Sequence, residues 1–84
     1  MCRNITILRG LEPPATPVEV EAAARQYVRK VGGVQAPSPA TAEAFEKAVR
    51  AVTEATAALL AELPERRRPP TTVPPLRRRA DAAP

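Results

Sequence analysis

Proline decides what this chain can become. Pro17 and Pro37 fence off one long proline-free stretch and Pro39 and Pro64 another, and six of the eleven prolines lie from Pro64 onward. Proline lacks a backbone N–H and its ring clashes with the preceding turn, so it suits the first turn of a helix and ends one abruptly. Both fenced stretches open on a hydroxyl residue followed by proline, Thr16-Pro17 and Ser38-Pro39. Two helices with non-helical chain on either side is the arrangement these signals permit.

The first stretch reads TPVEVEAAARQYVRKVGG. Thr16 with Glu19 three residues later forms a capping box. Val20, Ala24, Tyr27 and Val31 recur at helical spacing as one apolar stripe. Gly32-Gly33 offers the left-handed stop expected at a helix C-terminus. A helix is predicted over 17–31, with Tyr27 in its core face.

The second stretch predicts a helix over 39–63, capped by Ser38. Ala42, Phe45, Val49, Val52, Thr56, Leu59 and Leu63 alternate spacings of three and four, a heptad seam broken once by Thr56. Glu43–Lys47 and Glu46–Arg50 are spaced for i,i+4 ion pairs. VGGVQAPS is a connection short enough for an antiparallel hairpin. At 1.5 Å per residue the helices span about 22 Å and about 37 Å, so the second overhangs by roughly 15 Å. The overhang carries Leu59, Leu60 and Leu63, an apolar cluster that soluble proteins rarely leave bare. The N-terminal arm NITILRGLEPPA leads into the helix beside it, so Ile5, Ile7, Leu8 and Leu11 are expected to lie across those leucines. One strand makes no sheet, so the arm is either a strap on its own hairpin or an edge for a second copy. Under a strap, Leu59→Ala is expected to cost about 2–5 kcal/mol.

The fold class is therefore all-α, an antiparallel helical hairpin over 1–63 with an extended N-terminal arm and a Pro/Arg-rich tail over 64–84. Six prolines and six arginines give that tail no means of building a core, and it is expected to be disordered. Seventeen alanines and two aromatic residues make the core thin, which favours self-association or a protein partner through the seam.

Charge locates in the tail. Residues 1–63 carry seven basic and seven acidic side chains, and residues 64–84 carry six arginines against Glu65 and Asp81, the whole net +4. Arg66, Arg67, Arg68 and Arg77, Arg78, Arg79 form two triplets that suit polyanion contact without sequence preference. The plainer reading of the arginines is the codon bias of a high-GC genome. Arg25 and Arg29 share a face, with Lys30 beside them, and are candidates for gripping an anion or an acidic partner. A solvated helix face, with Glu21 neutralising Arg25, is the commoner outcome.

No histidine and one cysteine exclude an intrachain disulfide, a histidine-based triad and the usual metal-ligand spacings. No cofactor and no catalytic activity are expected. Cys2 beside Arg3 has a positive neighbour of the kind that lowers a thiol pKa, which makes it a candidate reactive thiol. Packing of a small, soft residue against the helices is the simpler role. No apolar run approaches a membrane span and no secretory signal stands at the start, so a cytoplasmic protein is expected.

The motifs MCRNI, EPPAT and QYVRKVGG, followed by the spaced PS…AF..AV and a closing LL..L, resemble the small bacterial proteins of domain of unknown function 2277. These motifs cover about residues 1–63 and leave the tail outside. Members usually carry Asn-Phe where Gly10-Leu11 stands here, and Ser-Gly-Phe where Gly32-Gly33-Val34 stands. The resemblance implies a bacterial, cytoplasmic origin and lends no functional residue. Three classes of function remain: a non-catalytic helical interaction or oligomerisation module, a nucleic-acid-associated protein working through its tail, and a thiol protein built on Cys2. The first is the expectation here.

Overall fold

A computed structural model of the chain describes residues 3–66 and 68–77. It is an antiparallel pair of helices, α1 over Pro17–Gly32 and α2 over Ala42–Glu62, and no strand occurs among the described residues.

The cap at α1 forms as the sequence dictates. Thr16 is the N-cap, Glu19 N–H donates to its hydroxyl at 3.2 Å, and Thr16 N–H donates back to Glu19 Oε1 at 2.9 Å. Gly33 closes the helix at φ 66°, the left-handed conformation that glycine adopts without penalty, and its N–H donates to the Arg29 carbonyl. Arg29 and Lys30 sit in the last turn, where positive charge complements the helix dipole.

α2 starts one turn later than predicted. Ser38 does not cap it. Residues 38–41 close a turn of their own, in which Thr41 and Ala42 N–H both donate to the Ser38 carbonyl and Ser38 N–H donates to Thr41 Oγ1 at 2.9 Å. Thr41 becomes the N-cap with no side-chain bond to the helix, since its hydroxyl is spent on Ser38. With 16 and 21 residues, the overhang of α2 shrinks to about 8 Å.

The core is two small clusters. Ala24 of α1 admits Phe45 and Val49 of α2, with Val28, Val34 and Val52 around them. Towards the α1 N-terminus, Leu8 and Leu11 of the arm pack with Val20, Ala15 and Leu60. The arm is thus a strap, held further by Asn4 N–H donating to Gln26 Oε1. Only part of the expected strap contact forms. Leu8 and Leu11 reach Leu60, whereas Ile5, Ile7 and Leu59 stay 42–54% exposed and Leu63 37%. Tyr27 is likewise not in the core. The helices meet along Val20, Ala24 and Val28, an i, i+4, i+8 line, and Tyr27 and Val31 lie off its edge, exposed.

Neither i,i+4 pair predicted on α2 closes. Glu46 turns instead to Arg25 of α1, which grips it with both terminal nitrogens at 2.8 and 3.1 Å. The Arg25 guanidinium also stands over the Phe45 ring, 5.7 Å from its centroid.

Residues 64–66 and 68–77 run back across the arm and the start of α1. Packing comes from the domain rather than from the tail itself: Pro74 is buried, Arg9 Nε donates to the Pro64 carbonyl at 2.7 Å, and the Arg66 stem lies against Gly10. Arg77 donates to Glu19 through Nε at 2.7 Å and Nη2 at 3.1 Å, and to the Pro14 carbonyl at 2.9 Å.

Candidate functional site

The second half of the α2 seam is left largely uncovered by the described residues. Phe45 and Val49 are covered by α1, but Leu59 and Leu63, about three and four turns further along, face outward. Beside them stand Tyr27 from α1 and Ile5 and Ile7 from the arm, so three separate elements contribute apolar side chains to one face. The face is concave. A groove of about 360 Å³ runs between the arm, Ala23 and Tyr27 of α1, and Val52, Thr56, Leu59 and Leu63 of α2. It continues into a shallow depression bounded by Tyr27, Ala51, Val52, Ala55, Thr56 and Leu59. Among the described residues Arg9 is the one charged side chain in the groove wall, and its Nε is taken by Pro64. Such a surface has little to offer a charged ligand and much to offer an apolar one.

The basic residues predicted as an anion grip are arranged differently. Arg25 is engaged by Glu46 and lies 3.8 Å from Glu21, so its charge is already answered. The hydrogen bond from Arg25 holds the Glu46 carboxyl below the ordinary carboxylate range, helped by the charges of Arg25, Arg50 and Arg29. Glu46 in turn raises the Arg25 pKa. Arg29 and Lys30 are exposed on the same helix.

In the tail, Arg66 and Arg68 are described and Arg77 is the partner of Glu19. Glu19 is 5% exposed, and the hydrogen bond from Arg77 lowers its pKa despite burial, with the Thr16 contacts acting in the same direction. Cys2, Arg67, Arg78 and Arg79, and with them the reactive-thiol reading, lie outside the described residues. Among the described residues no group of three or more His, Cys, Asp or Glu side chains is placed to hold a metal ion. No described helix is long and apolar enough to cross a membrane.

The leucine excess is legible in the sequence, which predicts the arm as its cover. Tyr27, Ile5 and Ile7 instead join the bare face. Their helical and alternating spacing was visible, but which edge of each element faces outward depends on how α1 and α2 cross. The Arg77–Glu19 pair had no local signal, being a contact across 58 residues.

What these features define is a class: a minimal helical hairpin, strapped at one end and open along an apolar face. The chain belongs to the DUF2277 family of uncharacterized conserved proteins, whose family model matches residues 1–84. That match takes in the tail, beyond the 1–63 that the recognisable motifs span. No curated protein and no solved structure matched the chain.

Proposed function

We propose that the protein is a non-catalytic interaction module whose working surface is the groove between the arm, Tyr27 and the second half of α2. The observation that carries this reading is the convergence of Ile5, Ile7, Tyr27, Leu59 and Leu63, all exposed, from three elements onto one concave face. A domain of this size has few large apolar side chains, and its own core uses only part of them. Burying the rest against a partner recovers hydrophobic stabilisation at about 25 cal/mol per Å². The partner chemistry that fits is an apolar helix face, since the groove wall offers little charge for an acidic or basic ligand.

A photo-activatable benzophenone side chain at position 59 tests this, introduced into the full chain in the cells that make it, with position 43 on the same helix as the control. The expected outcome is a discrete protein adduct from position 59 that is absent from position 43 and lost when Ile7→Glu is added. Adducts of equal strength from both positions, or none, would overturn the reading.

Nucleic-acid association through the tail is the second reading, favoured by the net +4 that residues 64–84 carry. Arg77 is spent on Glu19, which reduces what the tail can offer. Duplex DNA binding that falls steeply between two salt concentrations would favour that reading over the groove.

A further inference from the structure

We infer that the occupant of the groove is a second copy of this chain, its α2 lying antiparallel against the first, an inference that rests on the interaction-module reading. The depression on α2 is bounded by Ala51, Val52, Ala55 and Thr56. Those positions, i, i+1, i+4 and i+5, span two successive turns and leave beside Tyr27 a recess in which a side chain from a facing helix can sit. Tyr27 walls it on the α1 side, and the alanines keep it shallow and allow a helix to approach closely. The knob stands on its rim, one turn beyond Ala55: Leu59, 54% exposed.

A knob and a vacant hole side by side on one helix are self-complementary. A two-fold axis passing near Thr56 turns one copy so that each Leu59 drops into the other copy's hole, which is the isologous arrangement of most dimers. Charge agrees with that axis. Lys47 and Glu62 lie at opposite ends of the exposed flank of α2, and neither is in an ion pair among the described residues. The two-fold axis brings Lys47 of each copy within one helical turn of Glu62 of the other. A parallel pairing would set Lys47 against Lys47 and Glu62 against Glu62.

Area sets the strength. Taking about 200 Å² for a large side chain, the five that are 37–54% exposed on this face present on the order of 500 Å² per copy. Two such faces bury about 1,000 Å² before the alanines are added, close to the ~1,200 Å² at which specific interfaces begin. The dimer is therefore expected to be reversible, with a Kd in the micromolar range.

Sedimentation equilibrium of the full chain from about 1 to 500 µM tests it, a span set around that expected Kd. The expected result is a monomer–dimer equilibrium that Leu59→Glu weakens at least about tenfold, as burying an unpaired charge requires. Lys47→Glu and Glu62→Lys should each weaken it about two- to fivefold, as rim charges do, and the double exchange should restore it. Ala51→Glu, at an exposed position, provides a second block of the hole should Leu59→Glu fold poorly. A monomer throughout the range overturns self-pairing, while a crosslink from position 59 to a different protein would still uphold the groove. A dimer indifferent to both Leu59→Glu and Ala51→Glu overturns self-pairing through this face. A dimer that they weaken but that the double exchange fails to restore overturns the antiparallel arrangement.

Discussion

Among the described residues, Glu19 is the one charged side chain that is buried. One carboxylate completes the capping box of α1 and receives Arg77 from the far end of the chain, and it does so buried. Arg77→Ala leaves it half-answered, and a destabilisation of about 2 kcal/mol is expected in urea unfolding. The pair also sets a pH dependence. Because Arg77 lowers the Glu19 pKa below its ordinary 4.5, the unfolded chain takes up the proton first as pH falls. The stabilisation is complete above the ordinary value and disappears as pH drops through the lower folded one. Melting temperatures between pH 6 and pH 3 should therefore fall less steeply in Arg77→Ala than in the unchanged protein. Burial divides the apolar residues just as sharply. Phe45, 4% exposed, should cost about 3–5 kcal/mol when replaced by alanine, enough to unfold so small a domain. Leu59→Ala, expected from the sequence to cost as much, should cost under about 1 kcal/mol in the monomer because Leu59 is half exposed. Thermal melts of the two variants at low concentration separate these cases. Gly10 shows a different constraint: at φ 85° it sits where glycine and asparagine are tolerated, and a Cβ there would meet the Arg66 stem at 3.0 Å.

At the scale of the helices, what was legible in the sequence was whatever local chemistry decides. Thr16, Pro17, Glu19 and Gly33 fix α1 between bounds read correctly to within a residue, because the cap and the stop are made by neighbours. Ser38-Pro39 misled because a second hydroxyl, Thr41, lies three residues on and closes a turn with Ser38 first. Thr16→Ala should accordingly cost about 1 kcal/mol, while Ser38→Ala should cost distinctly less. Chemical denaturation of both variants checks the contrast. Which face of α1 is buried was less legible. Val20, Ala24, Tyr27 and Val31 read as one stripe, but Phe45 packs at Ala24, the smallest side chain on it. The crossing settles there, and Tyr27 is carried outward into the groove wall. The Glu46–Arg25 bridge was illegible for a similar reason, since an i,i+4 partner and a cross-helix partner look alike until the helices are placed.

For the whole molecule, the hairpin and its strap followed from length and apolar pattern, and the place of the tail did not. A segment rich in proline and arginine builds no core, yet it can lie on one that exists. Pro74 and Arg77 do this against the arm and α1. Ending the chain at residue 63 should therefore lower stability by at least as much as Arg77→Ala, which comparison of urea midpoints for residues 1–63, the Arg77→Ala chain and residues 1–84 would show. Equal midpoints for all three would mean that the tail contributes nothing to the fold. The candidate groove was half legible: its leucines stood out, and its complement from the arm and Tyr27 emerged only with the packing.

The contact between Arg77 and Glu19 has a consequence for how the protein is made. Synthesis is vectorial, so Glu19 leaves the ribosome 58 residues before the arginine that answers it. Until then the arm and α1 exist with their clasp open, and the arm is held by the apolar contacts of Leu8 and Leu11 and the hydrogen bond from Asn4 to Gln26. The nascent hairpin can form, but it is fastened only once Arg77 has been made and has reached Glu19.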